Sequence, residues 1–427
     1  MRRQRYLSTL VLLATLALFN VGCQADRHAL TPEGKVPVRF SVLLISVQQT
    51  AFFQWAEAEF EKRNPDIDLI FEQFPGSSLK DFEIKMRLRF ASGQSPDVFG
   101  ASEHVAADFA RLGLLSPAPP AFVAAMDTLA LNEAVRNAPI VDGTTIGVTS
   151  DIVPTALYYN KRMFREAGLD PEQPPTNWTE LLDYAERLTI RDEDGRLVQA
   201  GISLRKTGFK PGTAEKFLTF VYSAGGRMFD DAGTQTYINS PAGRAALEFY
   251  KAVLFDRQLD SVHLEGDQQG FGQERVAMFI REIHVDRWLR TNYPTVEFGV
   301  APLPANPESI SAGGAYVYVV SGESPFTEAA WKWVSFISSP EIYGRYAAIG
   351  GMIPVLKPVA EALSANDPTM QVFMKQALRP IKPFPRMQQA LEILGAYIER
   401  YCYGQMTIDE VLTRSEREIN ALLSTNR

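Results

Sequence analysis

The sequence predicts an α/β fold in which mostly parallel sheets are flanked by helices. Segments with strand and helix patterns alternate along the chain, and this order is typical of a mostly parallel sheet. The composition agrees, since 46% of the residues are hydrophobic and 22% are charged, as in soluble globular proteins. The length of 427 residues predicts two or three domains with a sizeable core. These observations exclude a disordered tail protein, a collagen, a coiled coil and a polytopic membrane protein.

The first strand and helix segments follow a polar stretch at 24–35, which we expect to be a tether. Val36 to Val47 is rich in β-branched and other apolar residues and predicts a strand. Ala51 to Lys62 carries its apolar residues on one helical face, and Asn64-Pro65-Asp66 ends this helix. Three further segments complete the unit: a strand at Ile67–Phe71, a helix at Leu79–Ala91 and a strand that begins at Pro96–Phe99.

A second unit of the same kind begins near residue 150. Ala156–Asn160 predicts a strand, and a short helix follows it at Lys161–Ala167. Asn177 or Thr176 is expected to cap the helix that begins at Trp178. The remaining predicted segments are an apolar stretch at 217–224, helices at 242–254 and 326–337, and two helices within 391–423 that Gly404 separates.

The N-terminus has the pattern of a secretory signal. Three arginines within the first five residues form a positive region, and an apolar run from Leu7 to Phe19 follows. This run is shorter than the roughly 20 residues that span a bilayer, so a signal peptide over residues 1–23 is favoured over a membrane anchor. The run ends in Asn20-Val21-Gly22-Cys23, which resembles a bacterial lipobox, although Asn20 stands where that pattern prefers leucine. We therefore expect Cys23 to be lipidated and to become the mature N-terminus.

Net charge and cysteine usage restrict the partners of the chain. The formal net charge is −7, and this balance lacks the basic footprint that nucleic-acid binding needs, so no nucleic-acid partner is expected. Cleavage before Cys23 would remove the three arginines and make the mature chain more acidic. The other cysteine, Cys402, would then have no disulfide partner, and we expect it to be a small buried residue.

Motifs of enzymes and metal proteins are missing from the sequence. It contains no GxSxG element, P-loop, Rossmann fingerprint or EF-hand loop, and Asp192-Glu193-Asp194-Gly195 predicts a hairpin turn. None of the histidines lies at metal-ligand spacing; they are His28, His104, His263 and His284. The many carboxylates leave open a pair for glycoside hydrolysis, but spacing singles out no pair. We therefore expect no metal, no cofactor and no enzyme activity.

Seven blocks of residues, in order along the mature chain, carry a resemblance to a known family. The most specific is Ala156-Leu157-Tyr158-Tyr159-Asn160-Lys161 with Phe164, Ala167-Gly168-Leu169 and Trp178–Leu182 after it. The other blocks are Phe60–Ile67, Ala91–Val98, Phe271 with Gln273–Met278, Gly299–Pro304 with Gly313-Gly314, Ala330–Val334 with Ser339–Glu341, and Gly404–Leu412. The chain thus resembles the bacterial extracellular solute-binding proteins of family 1, the sugar-binding components of ABC importers. Glu274 replaces a glycine of the family pattern.

The resemblance implies a two-lobed periplasmic-binding-protein type II fold, with the ligand in a cleft between the lobes. Each lobe would be built from two separate segments, because the chain crosses between the lobes. The expected division is 36–148 with 317–355 for lobe 1 and 155–312 with 356–427 for lobe 2. The crossings near 149–154 and 313–316 are the expected hinges, and Gly313-Gly314 suits a change in backbone angles there.

The family resemblance also implies a transport role. The chain would capture a sugar or oligosaccharide outside the cytoplasmic membrane and deliver it to membrane permease subunits when the lobes close. We expect an exported monomer, either anchored through Cys23 on the outer side of the cytoplasmic membrane or periplasmic. Three alternatives stay open: the same role for glycerol phosphate, a polyamine or another small ion; a carbohydrate-active enzyme; and a lipid-anchored structural protein with a degenerate cleft.

A sugar presents hydroxyl groups and an apolar ring face, so its site needs aromatic side chains and planar hydrogen-bonding groups. His284 stands where the family usually has a tryptophan, and Trp288 is therefore the candidate for the stacking role. The candidate ligand-binding residues are Gln48, Gln49, Ser102, Glu103 and His104 from lobe 1, Asp151 from the first crossing, Phe217, His284 and Trp288 from lobe 2, and Gly314, Tyr316 and Arg386 near the end of the chain.

Overall fold

A computed structural model describes residues 29–44, 46–75, 79–230, 233–349, 352–380 and 386–424. The predicted signal peptide and Cys23 lie outside the described residues. The strands are β1 Val36–Leu44, β2 Ile67–Pro75, β3 Val98–Ser102, β4 Ile140–Val141, β5 Thr144–Thr145, β6 Gly147–Ile152, β7 Thr155–Asn160, β8 Ile190–Arg191, β9 Leu197–Gln199, β10 Met278–Glu282, β11 Phe298–Ala301, β12 Ile310–Gly313, β13 Ala315–Val320 and β14 Ala377–Pro380.

Helices account for more of the chain than strands do. They are α1 Val47–Arg63, α2 Leu79–Ala91, α3 Glu103–Arg111, α4 Pro120–Leu129, α5 Glu133–Asn137, α6 Lys161–Glu166, α7 Trp178–Leu188, α8 Lys210–Ser223, α9 Pro241–Lys251, α10 Asp267–Gly272, α11 His284–Asn292, α12 Thr327–Ile337, α13 Pro340–Ala347, α14 Lys357–Ser364, α15 Pro368–Lys375, α16 Met387–Cys402 and α17 Ile408–Ser424. A π-helical turn at Ala252–Asp256 continues α9.

The first sheet has the strand order β2-β1-β3-β13-β6. β1 lies parallel to β2 and β3, whereas β13 runs antiparallel to β3 and β6. Phe40 on β1 is fully buried and packs edge-on against Trp333 of α12, with ring centroids 5.3 Å apart. Helix α12 therefore packs on the Phe40 side of this mixed sheet, as the apolar run of β1 predicts.

The second sheet has the order β10-β7-β11. All six residues of β7 are buried, and β7 pairs antiparallel with both of its neighbours. This differs from the mostly parallel arrangement that the sequence pattern predicts for this half, because hydrophobic periodicity identifies a strand but not its direction. A separate parallel pair, β12 with β14, lies beside α8.

Two neighbouring connections join the sheets. β6 passes into β7 through Val153 and Pro154, and β12 passes into β13 through Gly314. The amide of Val153 donates to the carbonyl of Gly314 at 3.1 Å, so the connections run side by side. They coincide with the predicted hinge segments. α14, which the predicted division assigns to lobe 2, packs on α13, where Gly344 faces Val359.

Most predicted elements form, with differences at their ends that local capping explains. β1 stops at Leu44 rather than at Val47, because Ser46 caps α1 and its side chain accepts a hydrogen bond from the Gln49 amide. Asn177 caps α7 as predicted. The predicted turn before Gly195 lies between β8 and β9, which form an antiparallel pair.

Glu274 has an unusual backbone conformation for a residue with a side chain. Its φ of 56° lies in the left-handed region that favours glycine. This turn explains why a glycine suits the position in the family pattern. The Glu274 carboxylate accepts hydrogen bonds from Asn160 and Arg162. This difference from the family pattern is therefore confined to the turn before β10.

Candidate functional site

The carboxyl end of β3 places a buried acid against the strand connection. Glu103 is the first residue of α3 and is 2% exposed. Its carboxylate accepts a hydrogen bond from the amide of Ala315, while Oε1 has no hydrogen-bond partner among the described residues. A Cβ placed on Gly314 would lie 3.2 Å from that oxygen. The backbone of the connection therefore lies directly against the Glu103 carboxylate.

A second acid faces Glu103 from the other half of the chain. Glu215 lies on α8, and its charge reaches Glu103. Burial, reinforced by this neighbouring carboxylate, raises the pKa of Glu103 to about 8. Burial also raises the pKa of Glu215. At neutral pH this pair retains a proton in the unliganded protein.

Salt bridges join a group of charged side chains near Glu215, which we call the charged wall. Its members are Lys216, Asp267, Arg281 and Glu282. Lys216 donates to Glu282 at the end of β10. Arg281 donates to Glu282 and to Asp267 Oδ2, with N···O distances of 2.8 Å and 2.6 Å. Although burial alone would raise the pKa of Glu282, Lys216 and Arg281 hold it well below its usual range.

Two further buried polar atoms near the charged wall lack partners among the described residues. They are Nε of Arg205 and Oε1 of Gln268. Arg205 lies over Gly212 in the first turn of α8, and its Nη1 is 3.7 Å from Asp267. Gln268 follows Asp267 on α10. Because buried polar groups are normally hydrogen-bonded, these atoms indicate positions where a bound molecule can complete the network.

The structure brings five of the predicted residues to one region. Ser102 donates to Glu83 Oε1 at 2.5 Å, beside Glu103 and Gly314. Tyr316 pairs in register with Ser102 on one side and with Asp151 on the other. Burial raises the pKa values of both Asp151 and Tyr316. The five residues are Ser102, Glu103, Asp151, Gly314 and Tyr316.

Three other residues predicted from the first half of the chain lie in different surroundings. Gln48 is exposed in the first turn of α1. Gln49 is buried, and its Nε2 donates to the hydroxyl of Tyr346 at 3.2 Å. His104 is half-buried on α3, where burial and the charge of Arg87 lower its pKa to about 4. A neutral His104 can donate or accept but carries no charge at pH 7.

His284 is the predicted residue from the second half that lies closest to the charged wall. It starts α11, is exposed, and interacts with the charges of Glu282, Arg281 and Lys216. Loss of hydration on its inner side is the main cause of its lowered pKa. Trp288 is half-buried one turn later and packs against Tyr293, with ring centroids 5.4 Å apart.

Two predicted residues are placed away from this region. Phe217 is fully buried in the core, where its ring packs against Tyr250 at 5.5 Å between centroids. Arg386 precedes α16, and its Nη1 donates to the carbonyl of Leu422 on α17 at 3.4 Å. Neither position supports a ligand contact, because the first side chain is enclosed and the second faces the C-terminal helix.

The charged residues on α8 and β10 were missed by sequence reasoning, although a signal was present. Glu215-Lys216 interrupts an otherwise apolar helix, and Arg281-Glu282 ends an apolar strand. Charges at such positions are rarely buried without partners, so they indicate either an ion-pair network or a site. The groups missed are Glu83, Arg205, Glu215, Lys216, Asp267, Gln268, Arg281 and Glu282.

Two negative findings apply to the described residues. No cluster of three or more histidine, cysteine or acidic side chains there is arranged to hold a metal ion. Within the same residues, every helix is too short or too polar to span a membrane.

Similar proteins are found among curated sequences. A binding protein of Brucella abortus is 25% identical over 425 residues, covering 96% of this chain and 97% of its own. The maltotriose-binding protein of Pyrococcus abyssi is also 25% identical, with 87% and 77% of the two chains covered.

Solved structures share the fold. The sugar-binding protein MalE of Xanthomonas citri superposes with a TM-score of 0.78 at 22% identity, covering 92% of this chain and 98% of that one. The cyclic α-maltosyl-1,6-maltose binding protein of Arthrobacter globiformis gives a TM-score of 0.77 at 21% identity, with 92% and 100% covered. The two-domain α/β architecture of periplasmic sugar-binding proteins is therefore the fold of this chain.

A match to a family model identifies the family of this chain. The family model described as bacterial extracellular solute-binding protein matches residues 46–343, which include β3, α8, β10 and both strand connections. The matched residues thus contain Glu103, Glu215 and Glu282. From this match and the shared fold, we conclude that the chain belongs to the bacterial extracellular solute-binding proteins.

Proposed function

We propose that the chain is the substrate-binding component of an ABC-type importer and captures a sugar or oligosaccharide. Its relatives include a maltotriose-binding protein, and structures with its fold include one bound with α-D-tagatose and one in complex with cycloalternan. As a member of an extracellular family, the protein is exported. The partners of this proposal are a sugar and the permease subunits of the importer.

The observation that carries the proposal is the set of unpartnered buried atoms on both sides of the region described above. Glu103 Oε1 comes from the first half of the chain, and Arg205 Nε and Gln268 Oε1 come from the second. A sugar hydroxyl both donates and accepts, so a ring of hydroxyls can satisfy donors and acceptors together. An arrangement of this kind fits a polar, uncharged or weakly charged solute.

The proposed mechanism is closure of two lobes over the solute. We assign 36–148 with 317–355 to lobe 1 and 155–312 with 356–427 to lobe 2, except for α14, which packs on α13 of lobe 1. The hinges lie near 149–154 and 313–316. Tyr343 supports the first hinge, since its hydroxyl donates to the Ser150 carbonyl at 2.9 Å. A solute that contacts both lobes binds the closed state better and shifts the population towards it.

Glycerol phosphate is the main alternative solute, because sn-glycerol-3-phosphate-binding proteins of Escherichia coli are 25% identical over 62% of this chain. The charges of the site favour a sugar over a phosphate. Lys216 and Arg281 are already paired with carboxylates, and the unpaired oxygen belongs to an acid, Glu103. A phosphate there would meet repulsion from Glu103, and Arg205, whose Nε has no hydrogen-bond partner among the described residues, is already shared with Asp267.

Binding without turnover separates this function from that of a carbohydrate-active enzyme. We expect calorimetric titration of the mature chain with a panel of mono- and oligosaccharides to give saturable binding of at least one sugar. Chromatography of the sugar after prolonged incubation should show no product. Binding of sn-glycerol 3-phosphate with no binding of any sugar would contradict the sugar assignment, and release of a cleaved product would contradict the binding role.

The proposal includes a lipid anchor at Cys23 and a monomeric state. Several acyl chains hold a protein stably at a membrane, whereas a single chain binds only weakly. The Cys23→Ser variant should therefore move from the membrane fraction of the native host to the soluble fraction, while Cys402→Ser should not. Equal membrane association of wild type and Cys23→Ser would contradict an anchor that depends on Cys23.

A further inference from the structure

We propose that the solute carries an ammonium group, as an amino sugar does, and that this group pairs with the carboxylates of Glu103 and Glu215. The inference rests on the proposed function, because it names the class of solute that the same site takes. It goes beyond a neutral sugar, whose hydroxyls would satisfy Glu103 Oε1 without balancing two acids.

The Glu103 carboxylate is buried and only partly hydrogen-bonded. The residue is 2% exposed, and Oε1 has no hydrogen-bond partner within the described part of the chain. The other contact of the carboxylate is the amide of Ala315, a neutral donor. Ionising a buried carboxylate that has no partner is costly, so the free protein keeps it protonated until a cation binds beside it.

The cations nearby are already paired. Lys216 is held by Glu282, and Arg281 is held between Glu282 and Asp267. Neither Glu103 nor Glu215 forms a salt bridge with any described residue. Among the described residues, Glu103 therefore has no cation acting on it, whereas Lys216 and Arg205 act on Glu215 without forming a salt bridge with it.

The charged groups near Glu103 lie on several elements of the fold. The one that acts on Glu103 itself is negative: it is Glu215 of α8. Next to it, Tyr316 of β13 interacts with Glu215, Glu83 of α2 and Glu282 of β10. The cations Lys216 and Arg205 act on Glu215, but the pKa of Glu103 is nevertheless raised to about 8.

A pH dependence follows from this arrangement. Since Glu103 holds a proton in the free protein below about pH 8, an incoming ammonium group must displace that proton into solvent. Affinity for an ammonium-bearing solute should then rise between pH 6 and 7 to the extent that the free amine is itself protonated, by at most about tenfold per pH unit for one displaced proton. Affinity for a neutral sugar should stay constant, because no proton is displaced.

The test uses trisaccharides matched in shape. Calorimetric titration of the mature chain would compare cellotriose, the β-1,4 trimer of glucosamine and the trimer of N-acetylglucosamine, with maltotriose as a further neutral sugar. We expect the glucosamine trimer to bind more tightly than its acetylated and hydroxyl counterparts at pH 7, with release of a proton in buffers of different ionisation enthalpy.

Glu103→Gln tests the residue directly, because glutamine keeps the shape and removes the charge. The variant should lose at least about 30-fold in affinity for the glucosamine trimer, the lower end of what loss of one partner of a buried charge pair costs. Its affinity for neutral sugars should fall less, because the glutamine amide can still hydrogen-bond a hydroxyl. Glu297→Gln, which removes an exposed partner of Arg165, is the matched control and should leave all affinities unchanged.

The outcomes separate the inference from the proposed function. Neutral trisaccharides that bind as tightly as the glucosamine trimer at both pH values would overturn the inference and leave the sugar-binding function standing. Unchanged amine affinity in a folded Glu103→Gln variant would do the same. If neither the glucosamine trimer nor any neutral sugar binds, the proposed function fails as well.

Discussion

Replacement of Lys206 with methionine is expected to lower the free energy of unfolding by about 3–5 kcal/mol, the cost of leaving one partner of a buried ion pair unpaired. Lys206 Nζ lies 2.6 Å from Asp260 Oδ1, and the two side chains are 6% and 0% exposed. The amides of Leu204 and Ser261 also donate to Asp260, so the acid stays in place when the lysine is removed. Chemical denaturation of the mature chain measures the loss.

An exposed ion pair provides the control for this prediction. Arg165 pairs with Glu297 at the surface, with side chains 47% and 55% exposed, and Arg165→Met should cost no more than about 1 kcal/mol. The double variant Lys206→Met with Asp260→Leu should recover part of the lost stability, because no unpaired charge remains but the amides of Leu204 and Ser261 lose their acceptor. A loss below that of Arg165→Met would show that the Lys206–Asp260 pair is not buried as described.

Replacement of Gly314 with valine is the second large change, and it should weaken sugar binding about 10- to 100-fold, since forcing extra atoms into a packed site costs about 1–3 kcal/mol. A Cβ at this position lies 3.2 Å from Glu103 Oε1, and valine adds two methyl groups beyond it. The φ angle of Gly314 is not in the left-handed region, so the valine backbone itself is unstrained. Calorimetric titration measures the affinity.

Two variants make the Gly314 prediction specific. Gly314→Ala adds only the Cβ and should have a smaller effect than valine. Gly344→Ala places a Cβ 3.8 Å from Val359, an ordinary contact away from Glu103, and should bind sugar as the wild type does. If Gly314→Val keeps wild-type affinity and an unchanged melting temperature, the strand connection is not part of the binding site.

Local elements could be predicted from the sequence because their signals lie within a few residues. The helix at Leu79–Ala91 has the predicted bounds, since its apolar spacing and the following Ser-Gly pair define both ends. Gly404 separates α16 from α17 at a φ of 69°, a conformation that glycine adopts without strain. The direction of β7 relative to its partners had no such local signal.

The candidate site was harder to predict because it joins distant residues. Glu103, Glu215 and Glu282 are far apart in the chain, and no periodic pattern links them. Glu103 and Gly314 were predicted only through the family pattern. Phe217 was misplaced for a physical reason: an aromatic residue before a double glycine suggests an exposed platform, but nearly every residue of α8 is buried, so its apolar side chains form core.

Small-angle X-ray scattering tests the central claim most directly. The claim is that two lobes close over a solute held between Glu103 on one side and α8 and β10 on the other. The mature chain would be measured alone and with a saturating amount of the trisaccharide that binds most tightly. We predict a smaller radius of gyration with the sugar present, whereas identical scattering curves at proven saturation would contradict closure.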